Sequence, residues 1–298
     1  MKVRMKVIEW LKENNNDFDK LKEEKGIKFS LYDDRVVLNY SQIDGDKNDP
    51  ISKECRALIL HYPDTSKVMS RSFDRFFNYN EDPRTAEYKI NKAVIYEKVD
   101  GSLINIYSDD KELCIATRSM AFAEGETVQG PSFKELVLRT QPDLIENILN
   151  RFSKDFIKNN TFIFELCTKE NRVVKQYDKD RLFLLGIRDK ITGVFNADWY
   201  VDQIAYEINV DRPLEMKFNT YDDIIENISK LPAMDEGYVC NWGDWRIKIK
   251  NPAYLAISHL RENGVISPKR VAKLVFLEDE GEYLGYRPER VCNGSKRS

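Results

Sequence analysis

The sequence predicts an α+β fold of mostly antiparallel sheets flanked by helices. Short apolar runs with strand-like alternation come in groups. Helix-like stretches interrupt the groups without the regular alternation that a parallel βαβ sheet requires. The runs are divided by Asp, Gly and Pro turns short enough for hairpins. Of the 298 residues, 42% are hydrophobic and 34 are aromatic, so the chain can bury a core although a third of it is charged.

Val3, Val7, Ile8 and Leu11 recur at helical spacing and predict an amphipathic helix over 2–13, ending at Asn14-Asn15-Asn16. Phe29-Ser30-Leu31-Tyr32, Val36-Val37-Leu38, Ala57-Leu58-Ile59-Leu60 and Lys67-Val68-Met69 read as strands. A meander is expected over 93–118, with Ser108-Asp109-Asp110-Lys111 as the turn of its second hairpin. Helical periodicity follows over 132–158, then two apolar strands over 161–166 and 182–187. Helices over 198–209 and 220–230 precede strands at 237–240 and 245–250. After Asn251-Pro252 the pattern turns helical, which predicts a main domain over 1–251 and a short helical C-terminal segment over 252–298.

Composition excludes several chemistries. The two histidines, His61 and His259, lie far apart with no serine or carboxylate motif around them, which disfavours a histidine-ligated zinc or a serine triad. Five cysteines without a Cys-x-x-Cys pair read as core thiols of a reducing compartment. No apolar run reaches membrane-spanning length and the N-terminus lacks a signal-peptide core, so a cytoplasmic protein without a membrane partner is expected. The balance of 47 basic to 50 acidic residues gives no global field for nucleic acid.

Neither a P-loop nor a Rossmann glycine pattern is present. Instead, an apolar strand runs into Glu97-Lys98-Val99-Asp100-Gly101-Ser102. Alone, this hexapeptide is equally a solvated lysine before an Asp-Gly hairpin turn. Other pieces give it company. Glu54-Cys55-Arg56 leads into a strand, Glu165 ends another, and Glu236-Gly237-Tyr238-Val239 begins a third. Arg246-Ile247-Lys248-Ile249-Lys250 alternates basic with apolar residues, placing its cations on one sheet face.

The order Arg56, Lys98, Glu165, Glu236, Lys248/Lys250 resembles the covalent nucleotidyltransferase superfamily of polynucleotide ligases and RNA-capping enzymes. Within it the chain is most similar to the RNA ligase 1 family typified by T-even phage RNA ligase. Phe73-Asp74-Arg75-Phe76-Phe77-Asn78, Asn171-Arg172-Val173-Val174 and Tyr254 add to the match, which covers roughly residues 25–260. The resemblance implies a nucleotidyltransferase (adenylylation) domain over 1–251, using ATP and magnesium, with manganese able to substitute.

It implies that Lys98 attacks ATP to form lysyl-AMP and that the AMP passes to a 5′-phosphate RNA end. A 3′-hydroxyl then seals the strand. Catalysis falls to Lys98, Lys248 and Lys250. The nucleotide is held by Arg56, Arg75, Glu97, Lys98, Asp100, Gly101, Arg118, Glu165, Glu236, Lys248 and Lys250, and the metal by Glu165 and Glu236 through water. Arg71 and Arg188 are expected near the phosphates.

A free lysine is almost wholly protonated at neutral pH, so nearby cations or a metal must depress its pKa. Two departures stand out: Ala57 where the family has glycine, and Arg75 where it has lysine.

The implied setting is RNA or tRNA repair by a monomer, possessed of a kinase-phosphatase partner upstream, in a host cytoplasm if phage-encoded. A DNA ligase or capping guanylyltransferase core is an alternative. Those enzymes append an OB fold, whereas the 48 residues after Lys250 read as helical. A non-catalytic RNA-binding relative is another, set against the complete Lys98, Glu165, Glu236 and Lys248 set.

Overall fold

The computed structural model describes residues 3–79, 81–125 and 130–263. Helix α1 (Lys6–Glu13) starts at Lys6 and not at residue 2, because a distant side chain fixes its first turn. The Glu54 carboxylate accepts the N–H groups of Lys6 at 2.8 Å and Val7 at 2.9 Å. Helix α2 (Phe18–Lys25) escapes the sequence reading, since only Phe18 and Leu21 anchor an otherwise charged stretch. Asp17 caps it and Gly26, at φ 66°, ends it.

Strands β1 (Ile27–Leu31), β2 (Arg35–Tyr40), β3 (Leu58–His61) and β4 (Val68–Ser70) form an antiparallel sheet in that order. Helix α3 (Pro50–Glu54) precedes β3. One face of this sheet packs on α1 and α2 through Leu11, Leu21, Leu38 and Leu58.

After β5 (Phe77–Asn78) and two 3-10 turns come β6 (Val94–Glu97), β7 (Ser102–Ser108) and β8 (Leu113–Thr117). The predicted meander is not one: β7 and β8 pair, but β6 belongs to a different sheet. Helical periodicity over 132–158 resolves into α4 (Phe133–Thr140), α5 (Leu144–Arg151) and α6 (Lys154–Asn159), with Ser132 capping the first and Ser153 the last. Next follow β9 (Asn160–Cys167), β10 (Arg181–Asp189), α7 (Asp198–Glu207), β11 (Glu215–Met216), α8 (Tyr221–Ser229), β12 (Gly237–Asn241), β13 (Arg246–Lys250) and α9 (Pro252–Asn263). The rest of the expected C-terminal segment lies outside the described residues.

The second sheet runs β10-β9-β7-β8 and the third β11-β6-β12-β13-β5, antiparallel throughout except for β13 against β5. Alternation sorts the faces. Ile104, Ile106, Phe162, Phe164 and Leu184 bury the back of the second sheet against the helices α4 to α7. Ile95, Cys240, Ile247 and Ile249 bury the back of the third against Ile224 and Ile228 of α8. Both sheets therefore keep one face for something else. No helix among the described residues is long and apolar enough to cross a membrane.

Candidate active site

The strand register assembles the site. Glu97 pairs with Tyr238, and Gly237 pairs with Lys250, so Lys98 follows on opposite Gly237, whose carbonyl accepts the Lys98 N–H at 2.8 Å. Opposed residues share a face in an antiparallel pair. Lys98, Gly237 and Lys250 thus form one rank, Tyr96, Val239 and Lys248 the next, and Val94, Asn241 and Arg246 the third. Residues far apart in sequence meet because β12 lies between the other two strands.

Two glycines make the close approach possible. At Gly237, with φ 131°, a Cβ would lie 2.0 Å from the Ile249 carbonyl oxygen. At Gly101 a Cβ would lie 2.2 Å from the Leu166 carbonyl oxygen. Here the chain leaves the third sheet for the second. The Gly101 N–H donates to Glu165 Oε1 at 3.1 Å, bringing the Lys98 loop against β9.

The opposite wall comes from the front of the second sheet. Leu103 pairs with Glu165 and Leu185 bulges out of β10, where the register jumps from Leu184 to Gly186. Phe73, Phe76 and Arg56 complete a cavity also lined by Tyr96, Lys98, Val99, Val239, Asn241, Arg212 and Arg246. The Arg56 guanidinium lies 5.1 Å from the Phe76 ring centre and the Lys248 ammonium 5.3 Å. Arg56 and Lys98 thus line the cavity together with apolar Val99, Leu103, Leu185 and Val239, a mixture of charge and apolar surface that a nucleotide also presents.

The electrostatics centre on Glu236. Its carboxylate is buried and lies 3.0 Å from the Lys98 ammonium and 3.9 Å from that of Lys250. Burial pushes the Glu236 carboxyl above its ordinary range, opposed by those two lysines. The sequence expectation put cations around Lys98 to depress its pKa. Here Glu236 stands 3.0 Å from the Lys98 ammonium, so a carboxylate as well as cations surrounds the candidate nucleophile.

Other predicted residues have different surroundings. Both Asp100 oxygens are taken by the protein: Tyr254 O–H donates to Oδ1 at 2.8 Å, and the N–H groups of Val174, at 2.9 Å, and Lys175 donate to Oδ2. Asp100 therefore braces the Lys98 loop. Asn171 does likewise, donating to the Leu166 carbonyl and the Ser102 hydroxyl at 2.9 Å each. Glu97 lines the cavity, and its carboxylate accepts the Leu214 N–H at 3.1 Å at the edge made by β11. Arg75 and Arg118 are buried over the Tyr40 ring at 4.1 and 4.8 Å, outside the cavity lining.

Arg188 pairs with Asp74 at 2.9 Å and bonds the Ser72 and Gly193 carbonyls, so its role is to fasten the loop before β5. Arg71 lies under Gly193 and reaches the Lys190 carbonyl at 3.5 Å. Neither of these two converges on the cavity. Ala57 adopts φ 50°, a region that glycine enters without strain, and its N–H donates to Asn39 at 2.7 Å.

Tyr96, Arg212, Pro213, Asn241 and Arg246 are among the lining residues that sequence reasoning missed. Arg246 carried a signal, since its alternation with Lys248 and Lys250 already put it on their face. Arg212 had none.

The chain is similar to several known proteins. A family model described as RNA ligase matches residues 54–254. A baculovirus protein, the putative bifunctional polynucleotide kinase/RNA ligase of Autographa californica nuclear polyhedrosis virus, is 33% identical over 86% of this chain and 38% of its own length. An RNA ligase of Rhodothermus phage RM378 is 24% identical over 76% of this chain and 64% of its own. The chain thus spans less than two thirds of the length of either relative. The structure of an archaeal ATP-dependent RNA ligase matches with a TM-score of 0.59 at 13% identity, over 87% of this chain and 72% of that one, a shared fold.

Proposed function

This chain belongs to the RNA ligase family, and on that footing we propose that it joins 5′-phosphate and 3′-hydroxyl RNA ends at the expense of ATP, through lysyl-AMP and RNA-adenylate intermediates. The observation that carries this reading is the rank of Lys98, Gly237 and Lys250 with Glu236 beside it. A lysine at a strand end, in a cavity that Arg56 also lines, is placed to receive a nucleotide α-phosphate.

In the first step Lys98 Nζ gives up a proton to solvent, its lone pair forms a bond to the ATP α-phosphorus, and the bond to pyrophosphate breaks so that pyrophosphate leaves with its electron pair. Lys248, Lys250 and Arg56 supply fixed positive charge for the phosphate oxygens as charge builds there. The AMP is then passed to the 5′-phosphate oxygen of an RNA end, returning the electron pair to Lys98. A 3′-hydroxyl finally attacks that phosphate, loses its proton and expels AMP. Glu165, anchored to the Gly101 N–H at 3.1 Å, orients the ribose.

The donor chemistry fits a divalent cation. Glu165 and Glu236 offer buried carboxylate oxygens of the kind magnesium prefers, and would hold it through water, with manganese as a substitute. Such an ion supplies positive charge beside Lys98 and the phosphates. The relative named as a bifunctional polynucleotide kinase/RNA ligase supports an upstream kinase that prepares RNA ends, to which we add a phosphatase and a place in RNA or tRNA repair as part of the proposal.

End-joining on RNA and DNA strands, with ATP and magnesium, tests the reading. Sealing of 5′-phosphate RNA is expected. Equal sealing of DNA 3′-ends would overturn the RNA assignment, and a lysyl-GMP product would indicate capping chemistry.

A further inference from the structure

The third rank of the site face lies four residues of strand, roughly 13 Å, from Lys98. It has no part in the phosphate chemistry above. The cavity nevertheless extends to it, through Asn241, Arg212 and Arg246. Two of these three are committed to the protein. Arg212 donates to Asp202 at 2.7 Å, to Asp198 at 3.3 Å, to the carbonyls of Leu184 and Leu185 at 2.8 and 3.2 Å, and to the Tyr96 hydroxyl at 2.7 Å. Asn241 donates to Asp198 at 3.0 Å while its oxygen accepts the Gly243 N–H at 2.8 Å.

Arg246 differs. Its guanidinium lies 4.0 Å from the Phe195 ring centre and 4.9 Å from that of Phe73. Its one hydrogen bond among the described residues is to the Gly243 carbonyl, at 3.3 Å. A guanidinium carries five N–H donors, and an aromatic face satisfies none of them. Burial lowers its pKa to about 10, with Arg188 adding to the shift and the carboxylates of Asp198, Asp74 and Asp244 opposing it. The rings fix its plane, and its remaining donors are available to a molecule in the cavity.

We propose that Arg246 is a specificity-determining residue that donates hydrogen bonds to acceptor atoms on the base of the bound nucleoside triphosphate, at the end of the cavity opposite Lys98. The inference rests on the nucleotidyl-transfer reading of the same cavity. The triphosphate lies at the Lys98, Arg56 and Lys248 end, and the apolar lining of Val99, Leu103, Leu185 and Val239 suits a ring system. The heteroatom edge of that ring system then reaches Arg246. A purine nitrogen, or a carbonyl oxygen in place of an amino group, is the acceptor such a cation selects.

The test is equilibrium binding of ATP and of ribose 5′-triphosphate, which lacks the base, to wild-type protein and to Arg246→Met and Arg246→Lys. Lysyl-AMP formation is measured in parallel without RNA. Arg246→Met is expected to weaken ATP binding about tenfold and leave ribose 5′-triphosphate binding unchanged. Arg246→Lys should recover part of the loss. KM for ATP should rise by a similar factor, with the rate at saturation within about threefold.

Equal losses for both ligands, or no loss for ATP, would overturn the inference, as would a defect confined to sealing pre-adenylylated RNA. Should Arg246→Met fail to fold, as judged by its melting curve, Arg246→Lys carries the same two-ligand comparison. Wild-type protein that binds ATP but forms no lysyl adduct would refute the ligase reading and leave the base contact standing.

Discussion

Replacing Gly101 with alanine is expected to abolish most nucleotidyl transfer through backbone displacement alone. The new Cβ would lie 2.2 Å from the Leu166 carbonyl oxygen and 2.8 Å from Cys167 Sγ. Ordinary contact is about 3.5 Å, so loop and strand must part by roughly 1.3 Å. Backbone cannot rotate away as a flexible side chain can. The same movement breaks the 3.1 Å bond from the Gly101 N–H to Glu165, a charge-assisted interaction of about 1.5–3 kcal/mol.

Lys98 lies three residues upstream on the same turn. A misplacement of about 1 Å at a reacting group lowers rates on the order of a hundredfold. The assay is single-turnover formation of lysyl-AMP at saturating ATP, with a melting curve on the same sample. Gly186→Ala is the control, because its Cβ would meet only ring edges, Phe73 at 3.4 Å and Phe195 at 3.5 Å. If Gly101→Ala formed the adduct at more than a tenth of the wild-type rate with an unchanged melting temperature, the account of this turn would be wrong.

Three further outcomes follow from the same geometry. Tyr254→Phe leaves one Asp100 oxygen buried without its 2.8 Å donor, and should cost about 2 kcal/mol by urea unfolding; an unchanged midpoint would contradict the brace. At Ala57, φ 50° is strained for any side chain, so Ala57→Val should cost about 2 kcal/mol or more while Ala57→Gly stays within about 1 kcal/mol. Equal stability of the two variants would dispose of that reasoning. Lys190 is buried, bonds the Ser108 carbonyl at 3.1 Å and has its pKa lowered by burial to about 8. Between pH 8 and about 10.5 the unfolded chain holds a proton that the folded chain has lost, so stability rises with pH, by roughly 3 kcal/mol relative to Lys190→Met. A stability difference between the two proteins that stays flat from pH 7 to pH 10.5 would count against it.

Most strands were legible in the sequence because alternation is local, but their partners were not. Ala93-Val94-Ile95-Tyr96 reads as the first strand of a meander, yet β6 pairs with β12, more than a hundred residues later. What separates β6 from β7 is the absence of a Cβ at Gly101, and that matters only once Leu166 is known to lie against it. Residue type and order were enough to single out Lys98, Glu165, Glu236 and Lys248 as candidates, and the structure brings Lys98 against Glu236 and Glu165 against the Lys98 loop. Contacts made by other candidates were not legible. Arg188 looks like a phosphate ligand by type, but Asp74 and two carbonyls hold it. Asp100 looks like a ligand of nucleotide or metal, whereas its three donors come from Val174, Lys175 and Tyr254.

The whole account depends on Lys98 as the atom that accepts AMP. Incubating the protein with ATP labelled at the α-phosphorus and magnesium, then mapping the labelled peptide, decides this directly. The prediction is an acid-labile AMP on Lys98, formed before any RNA is added and absent from Lys98→Ala. Label that persists in Lys98→Ala, or that maps to another residue, would contradict it.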